Sequence, residues 1–362
     1  MTCSTVVIAA RRLTLPLAVI IGFTAGCVSN EPQPRDHSDE RAARLARVDP
    51  ELRAPLVTLF PDGMRPVTAA NLAVFRSASS AFQVPALPSP AVSTRYIRGT
   101  NGEPDVRLFV IEPPVTGDET RGAVIFMHGG GYVLGAPDSN LARLQTMANQ
   151  HGCVVVAPQY RLAPETPFPG ALEDNYAALK WVHTHAPMLR VDRSKLIVMG
   201  DSAGGGHAAA LAIAARERGE VPVALQILSY PMLDDRTGAD ANVIASKGGL
   251  LWDGASNRFG WSAYLGQPAG GDSAPVGAVP ARSVDLSDLP PTWIGVGDLD
   301  LFAEENLAYA SRLIAAGVPT EVVVVPGAYH AFDVIAPNAS ASQRYTASWN
   351  RALARALGSD TD

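Results

Sequence analysis

The sequence predicts an α/β fold with a mostly parallel central sheet flanked by helices. Short apolar runs at 106–111, 123–127, 153–157, 196–200, 225–229, 292–297 and 322–325 read as buried strands. Helical stretches at 138–151, 171–186, 203–218, 303–316 and 340–357 alternate with them. Parallel neighbours need such crossovers, so the alternation implies a parallel sheet with helices on both faces. A chain of 362 residues, 47% of them hydrophobic, is ample for one large core. No internal repeat is visible.

The first forty residues carry a different pattern. Arg11-Arg12 precede an apolar run, Leu13 to Phe23, and then Thr24-Ala25-Gly26-Cys27. Basic, apolar, small is the order of an export signal. The run is too short to span a bilayer comfortably. Ala-Gly-Cys also resembles a bacterial lipobox, whose cysteine is lipidated and becomes the first residue. Residues 1–26 are therefore expected to be a signal peptide, with Cys27 lipidated and 27–40 a flexible tether. The expected location is a membrane-anchored lipoprotein. Thr24 stands where a lipobox usually has Leu, which keeps periplasmic or secreted protein as the alternative.

Two motifs carry chemistry. Ala123 to Met127 is a short apolar strand, and His128-Gly129-Gly130-Gly131 follows at once. Glycines let a backbone turn its N–H groups toward a bound carbonyl. Lys195 to Gly200 is a second buried strand, and Gly200-Asp201-Ser202-Ala203-Gly204 turns it into the helix 203–218. This is a G-x-S-x-G turn. A serine hydroxyl is a poor nucleophile and must stand clear of the sheet, within reach of a base. A sharp strand-to-helix turn places it so. Small residues at 200, 203, 204 and 205 are needed because side chains there would strike the neighbouring strand. The helix start adds free N–H groups. The expected oxyanion hole is the N–H groups of Gly130, Gly131 and Ala203, with Gly129 as scaffold and His128 holding the loop.

The base follows by elimination. Serine hydrolases built on this turn run Ser, then acid, then His. Of the histidines at 37, 128, 151, 183, 185, 207 and 330, only His207 and His330 follow Ser202. His207 lies about 140° round the helix from Ser202. His330 remains, after the strand 321–325 and the turn Pro326 to Tyr329. The acid should follow the strand Thr292 to Gly297. Asp298 and Asp300 both do, and spacing does not separate them. Glu304 and Glu305 read as the start of the next helix, where carboxylates are favoured.

With these motifs in place, the chain resembles the bacterial hormone-sensitive-lipase-like esterases of the α/β-hydrolase superfamily. The resemblance rests on HGGGYVLG (128–135), YRLAPE (160–165), FPGALEDNYAALKWV (168–182), GDSAGGG (200–206), YPMLDD (230–235), GDLDLFAEE (297–305) and AGVPTEVVVVPGAYHAFD (316–333). It implies an α/β-hydrolase catalytic domain over 91–362. It selects Asp300 as the acid, since the family's acid opens a D-P-L-x-D-E-like stretch. Leu301 replaces the usual Pro, Ala331 the usual Gly after the histidine, and Gly206-His207 the common Gly-Asn-Leu. It also implies an N-terminal helical cap, placed at 41–90 and carrying Phe60, Phe75 and Phe82. Residues 232–290, with Trp252, Phe259, Trp261 and Tyr264, are candidates for its rim. YRLAPE matches a stretch that supports the active-site wall. The implied activity is a serine carboxylesterase for short- to medium-chain esters, using Ser202, Asp300 and His330 through an acyl-enzyme.

Charge and cysteines bound the alternatives. Removing residues 1–26 removes two arginines and no acid, taking the net charge from −6 to −8. That argues against nucleic acid as a partner. Three cysteines, Cys3, Cys27 and Cys153, imply no disulfide framework. His183-x-His185 has the wrong spacing to share a helical face, so no metal is expected, and no cofactor. The expected partner is a small-molecule ester. Lactones, amides and acetylated sugars suit the same chemistry, since the pocket sets the substrate. A ligand-binding protein on a hydrolase fold is the reading from another class, but such proteins lose triad members.

Overall fold

The computed structural model describes residues 37–81, 84–114, 119–239 and 248–358. The expected signal peptide, Cys27, Phe82 and most of the expected tether lie outside them. The last residues of that tether, 37–40, are helical: they open α1 (His37–Arg47).

Among the described residues, eight strands form one sheet: β1 (Val92–Ile97), β2 (Val106–Ile111), β3 (Arg121–Met127), β4 (Val154–Gln159), β5 (Val191–Asp201), β6 (Leu225–Ser229), β7 (Thr292–Gly297) and β8 (Thr320–Val325). Their order is β1-β2-β4-β3-β5-β6-β7-β8. β1 and β2 pair antiparallel, as do β2 and β4; from β4 through β8 every pair is parallel. β1 has no counterpart among the apolar runs. It is an edge strand whose Tyr96 is 71% exposed, so it lacks the continuous apolar signal of a strand buried on both faces.

The remaining helices are α2 (Pro50–Leu59), α3 (Leu72–Ala81), α4 (Leu141–His151), α5 (Gly170–Thr184), α6 (Ala186–Leu189), α7 (Ala203–Arg218), α8 (Gly254–Leu265), α9 (Ala303–Ala315), α10 (Phe332–Ile335) and α11 (Ser340–Leu357). On one face of the sheet, Leu179, Leu211 and Leu313 of α5, α7 and α9 pack with Val156, Val198 and Ile294. On the other, Leu144, Met147, Trp349 and Leu353 of α4 and α11 pack with Val155, Ile197 and Trp293. α7 is buried from Ala203 to Ala215. Its alanines and glycines let it sit close: a Cβ on Gly204 would lie 2.1 Å from the Met127 carbonyl.

The region expected to be a cap divides in two. Val48 before α2, with Leu52 and Leu56 on it, joins the α4/α11 core, and Tyr329 donates to the Leu52 carbonyl at 3.1 Å. This part braces the loop after β8. Val67 and Leu72 instead join Tyr132, Leu134, Trp252, Trp261, Tyr264, Leu301 and Phe302, a third cluster that includes Ala203. α8 and its flanks supply most of the aromatic side chains of this cluster. Among the described residues no helix is long and apolar enough to cross a membrane.

Candidate active site

Ser202 stands between β5 and α7 at φ 57°, ψ −121°. A non-glycine residue held there costs about 1–3 kcal/mol, so its surroundings must enforce it. The Ser202 N–H donates to the Ser229 carbonyl at 2.9 Å, and its carbonyl accepts from Gly206 and Met232, both at 3.0 Å. Gly200 is obligatory, since a Cβ there would lie 2.1 Å from the Gly204 carbonyl.

His330 reaches the serine from the loop after β8. Its Nε2 lies 2.9 Å from Ser202 Oγ, and its Nδ1 lies 2.8 Å from Asp300 Oδ2. The carboxylate oxygen accepts, so Nδ1 carries the proton and bare Nε2 faces the hydroxyl. Asp300 is fully buried; its Oδ1 accepts from the Phe302 N–H at 3.0 Å. Asp298, the other candidate, turns away: its Oδ1 accepts from the Gly327 N–H at 2.7 Å and closes a turn. Glu304 and Glu305 do open α9. Phe302 and Tyr230 both meet the imidazole edge-on, at centroid distances of 5.1 and 4.9 Å. Ser202 and His330 are 8% and 7% exposed, so the pair is sheltered yet reachable.

The glycine loop lies against the serine turn. A Cβ on Gly129 would sit 3.0 Å from the Asp201 carbonyl. Gly130 and Gly131 take φ 132° and 58°. The Gly130 carbonyl accepts from Val133 and Leu134, while no described residue accepts from the N–H of Gly130, Gly131 or Ala203. His128 holds the loop. Its Nδ1 donates to the Gly129 carbonyl at 2.7 Å, Tyr160 donates to its carbonyl at 2.6 Å, and the two rings stack at 4.3 Å. Burial pushes His128 down to about 4, so it is neutral near pH 7. Arg76 of α3 pairs with Glu165 and donates to the Val133 carbonyl, joining the cover to this wall.

His207 packs among Tyr132, Tyr160 and Tyr264, and burial pushes it down to about 3. Among the described residues, no His, Cys, Asp and Glu group of three or more could hold a metal. Burial pushes the Cys153 thiol up to about 12.

Three further residues beside the serine escaped the sequence reading. Arg143 of α4 pairs with Asp201, next to Ser202. Tyr230 donates to Asp333 Oδ1 at 2.9 Å. Burial, and then the negative charge of Asp201, push Asp333 up to about 6. The available signal was position: Tyr230 opens YPMLDD at the carboxyl end of β6, and Asp333 follows His330 by three. Arg143 and Asp333 also line a cavity of about 850 Å³ between α4 and α11.

Comparison with known proteins agrees with this fold. The family described as alpha/beta hydrolase fold matches residues 124–334. Carboxylesterase NlhH of Mycobacterium tuberculosis is 33% identical over 313 residues, 86% of this chain and 96% of its own. Ethyl acetate hydrolase of Pseudomonas putida is 33% identical over 230 residues, 63% of this chain and 70% of its own. The solved structure of a bacterial heroin esterase superposes with a TM-score of 0.80 at 33% identity, covering 86% of this chain and 99% of that one. With its mostly parallel sheet and a serine on the turn after β5, the chain belongs to the α/β-hydrolase esterase family and is a carboxylic ester hydrolase.

Proposed function

We propose that the chain is a serine carboxylesterase for short- to medium-chain esters, with Ser202, His330 and Asp300 as its triad. The observation that carries this is the chain of contacts from Oγ to Nε2 at 2.9 Å and from Nδ1 to buried Asp300 at 2.8 Å. His330 takes the Ser202 proton as Oγ attacks the ester carbonyl. The oxyanion rests on the N–H groups of Gly130, Gly131 and Ala203, each worth about 2.7–4 kcal/mol in the transition state. The C–O bond then breaks, and His330 returns the proton to the leaving alcohol. Water, deprotonated by His330, attacks the acyl-enzyme, and the acid leaves as Ser202 regains its proton. Asp300 keeps Nδ1 protonated and stabilises the imidazolium.

The size preference is supported by crowding. A Cβ on Gly131 would lie 2.3 Å from Trp252, and Tyr132, Trp261 and Phe302 lie in the same cluster. The likeness to an ethyl acetate hydrolase points the same way. We assign the cover over the site to Val67–Phe75 and Leu250–Val279, so that only part of residues 41–90 belongs to it. The test is hydrolysis of p-nitrophenyl esters from two to sixteen carbons, with and without a serine-directed phosphonate. A phosphonate-sensitive optimum at short chains is expected; a long-chain optimum would make the protein a lipase. Ser202→Ala should abolish turnover and leave the fold intact, and retained activity would rule this serine out.

We further propose export and lipidation at Cys27, on the strength of Leu13 to Phe23 and Ala25-Gly26-Cys27. A tagged fatty acid fed to expressing cells should label the wild type and spare Cys27→Ala. Equal labelling of both would refute the anchor.

A further inference from the structure

We propose that Tyr230 and Asp333 act as a positioning pair for His330, setting the imidazole's orientation toward Ser202; the inference rests on the triad reading above. Neither residue touches the reacting atoms. Their importance lies in which loops they join.

Tyr230 follows β6 at φ 37°, a conformation a bulky residue takes only where its surroundings force it. Its N–H donates to the Gly295 carbonyl at 2.6 Å. The fully buried ring meets His330 at 4.9 Å with an interplanar angle of 69°, and its hydroxyl donates to Asp333 Oδ1 at 2.9 Å. Asp333 lies on α10, directly after the His330 loop, and the chain turns between the two at Ala331, φ 58°. That turn places a non-glycine residue in the left-handed region, so the loop needs an external tie.

The tie falls where the nucleophile is also held. Ser229 accepts from the Ser202 N–H, and Met232 donates to the Ser202 carbonyl, so residues 229–232 brace the serine turn. The hydroxyl of Tyr230 therefore links the segment that fixes the nucleophile to the loop that carries the base. On another edge, Phe302 bounds the ring from the Asp300 turn. Arg143 faces Asp333 but is itself bonded to Asp201. The negative charge of Asp201 also acts on Asp333, and Tyr329 and Tyr345 beside it are phenols held above their ordinary range by burial. Tyr230 is held well above its ordinary range in the same way, so it remains a donor wherever the enzyme works.

The test compares wild type, Tyr230→Phe, Asp333→Ala, Asp333→Asn and the Tyr230→Phe/Asp333→Ala double variant. Each is read by kcat and KM on p-nitrophenyl butyrate and by the rate of Ser202 labelling with an alkyl phosphonate. One hydrogen bond corresponds to about a tenfold rate. Tyr230→Phe and Asp333→Ala should each lower kcat and labelling about tenfold, with KM within twofold. The double variant should be no slower than the slower single one. Asp333→Asn, which keeps an acceptor for the hydroxyl, should rescue both rates to within about twofold of wild type. Loss of Tm without loss of kcat or labelling would make the pair mere packing. Additive losses, or an Asp333→Asn as slow as Asp333→Ala, would equally overturn it. Labelling without ester turnover in the wild type would refute the esterase reading, while the labelling rates would still judge the pair.

Discussion

Replacing Asp300 by Asn, with Asp298→Asn beside it, probes the part of the site that sequence spacing left open. The Asp300 Oδ1 is committed as acceptor for the Phe302 N–H, so an asparagine would place its carbonyl oxygen there. Its NH₂ would then occupy the Oδ2 position, 2.8 Å from His330 Nδ1. Two donors cannot share one bond. The imidazole would move its proton to Nε2, which would then donate to Ser202 Oγ instead of accepting from it. Isosteric loss of a buried triad carboxylate by this route costs about 10⁴-fold in kcat, or about 5.5 kcal/mol. At Asp298 the same change keeps an acceptor for the Gly327 N–H, so activity should stay within about twofold. The assay is kcat on p-nitrophenyl butyrate near pH 8, with phosphonate labelling of Ser202 as a reading independent of substrate binding. The reverse ranking, or an Asp300→Asn loss below tenfold, would refute the acid assignment and the tautomer argument together.

Three further outcomes follow from the same contacts. Gly130→Ala would force a Cβ to 2.1 Å from the Leu134 carbonyl at φ 132°, displacing a proposed oxyanion donor; kcat should fall about 10²–10³-fold, and an active variant would remove Gly130 from the proposed hole. Asp333 binds its proton more tightly folded, at about 6, than an ordinary aspartate at 3.8, so stability falls as pH rises through that window. Asp333→Asn should therefore exceed wild type by about 3 kcal/mol in urea unfolding above pH 6 and converge with it near pH 4; a gap independent of pH would contradict this. His207 has the opposite sign: its folded value is depressed to about 3 from 6.5, so stability is full above 6.5 and lost as pH falls toward 3. His207→Gln should remove about 5 kcal/mol of that acid loss and unfold at lower pH; an unchanged acid midpoint would refute it.

Much of this was legible along the chain because the strongest constraints are local. A strand buried on both faces must be apolar throughout, so β2 to β7 stood out; edge strand β8 stood out only through its four consecutive valines, Val322 to Val325, while half-exposed β1 did not. A serine at φ 57° needs small neighbours, and Gly200, Ala203, Gly204 and Gly205 declare that need. Apolar residues in 41–90 announce burial without naming their partner. Leu52 and Leu56 join the core beside the His330 loop, and Leu72 joins the aromatic cover with Trp252.

The sequence by itself determined the order of β2 to β8 and of the helices alternating with them, the serine turn, the glycine loop and His330 as the candidate base. Each depends on residues adjacent in the chain, where backbone geometry dictates residue type. Only the tertiary structure separated Asp300 from Asp298 by contact and brought Arg143 to Asp201 and Tyr230 to Asp333. Those pairs lie 58 and 103 residues apart, so they exist only after the sheet has packed. A hydrogen bond across that distance leaves no periodicity and no spacing; it is set by where two loops meet at the carboxyl ends of the strands.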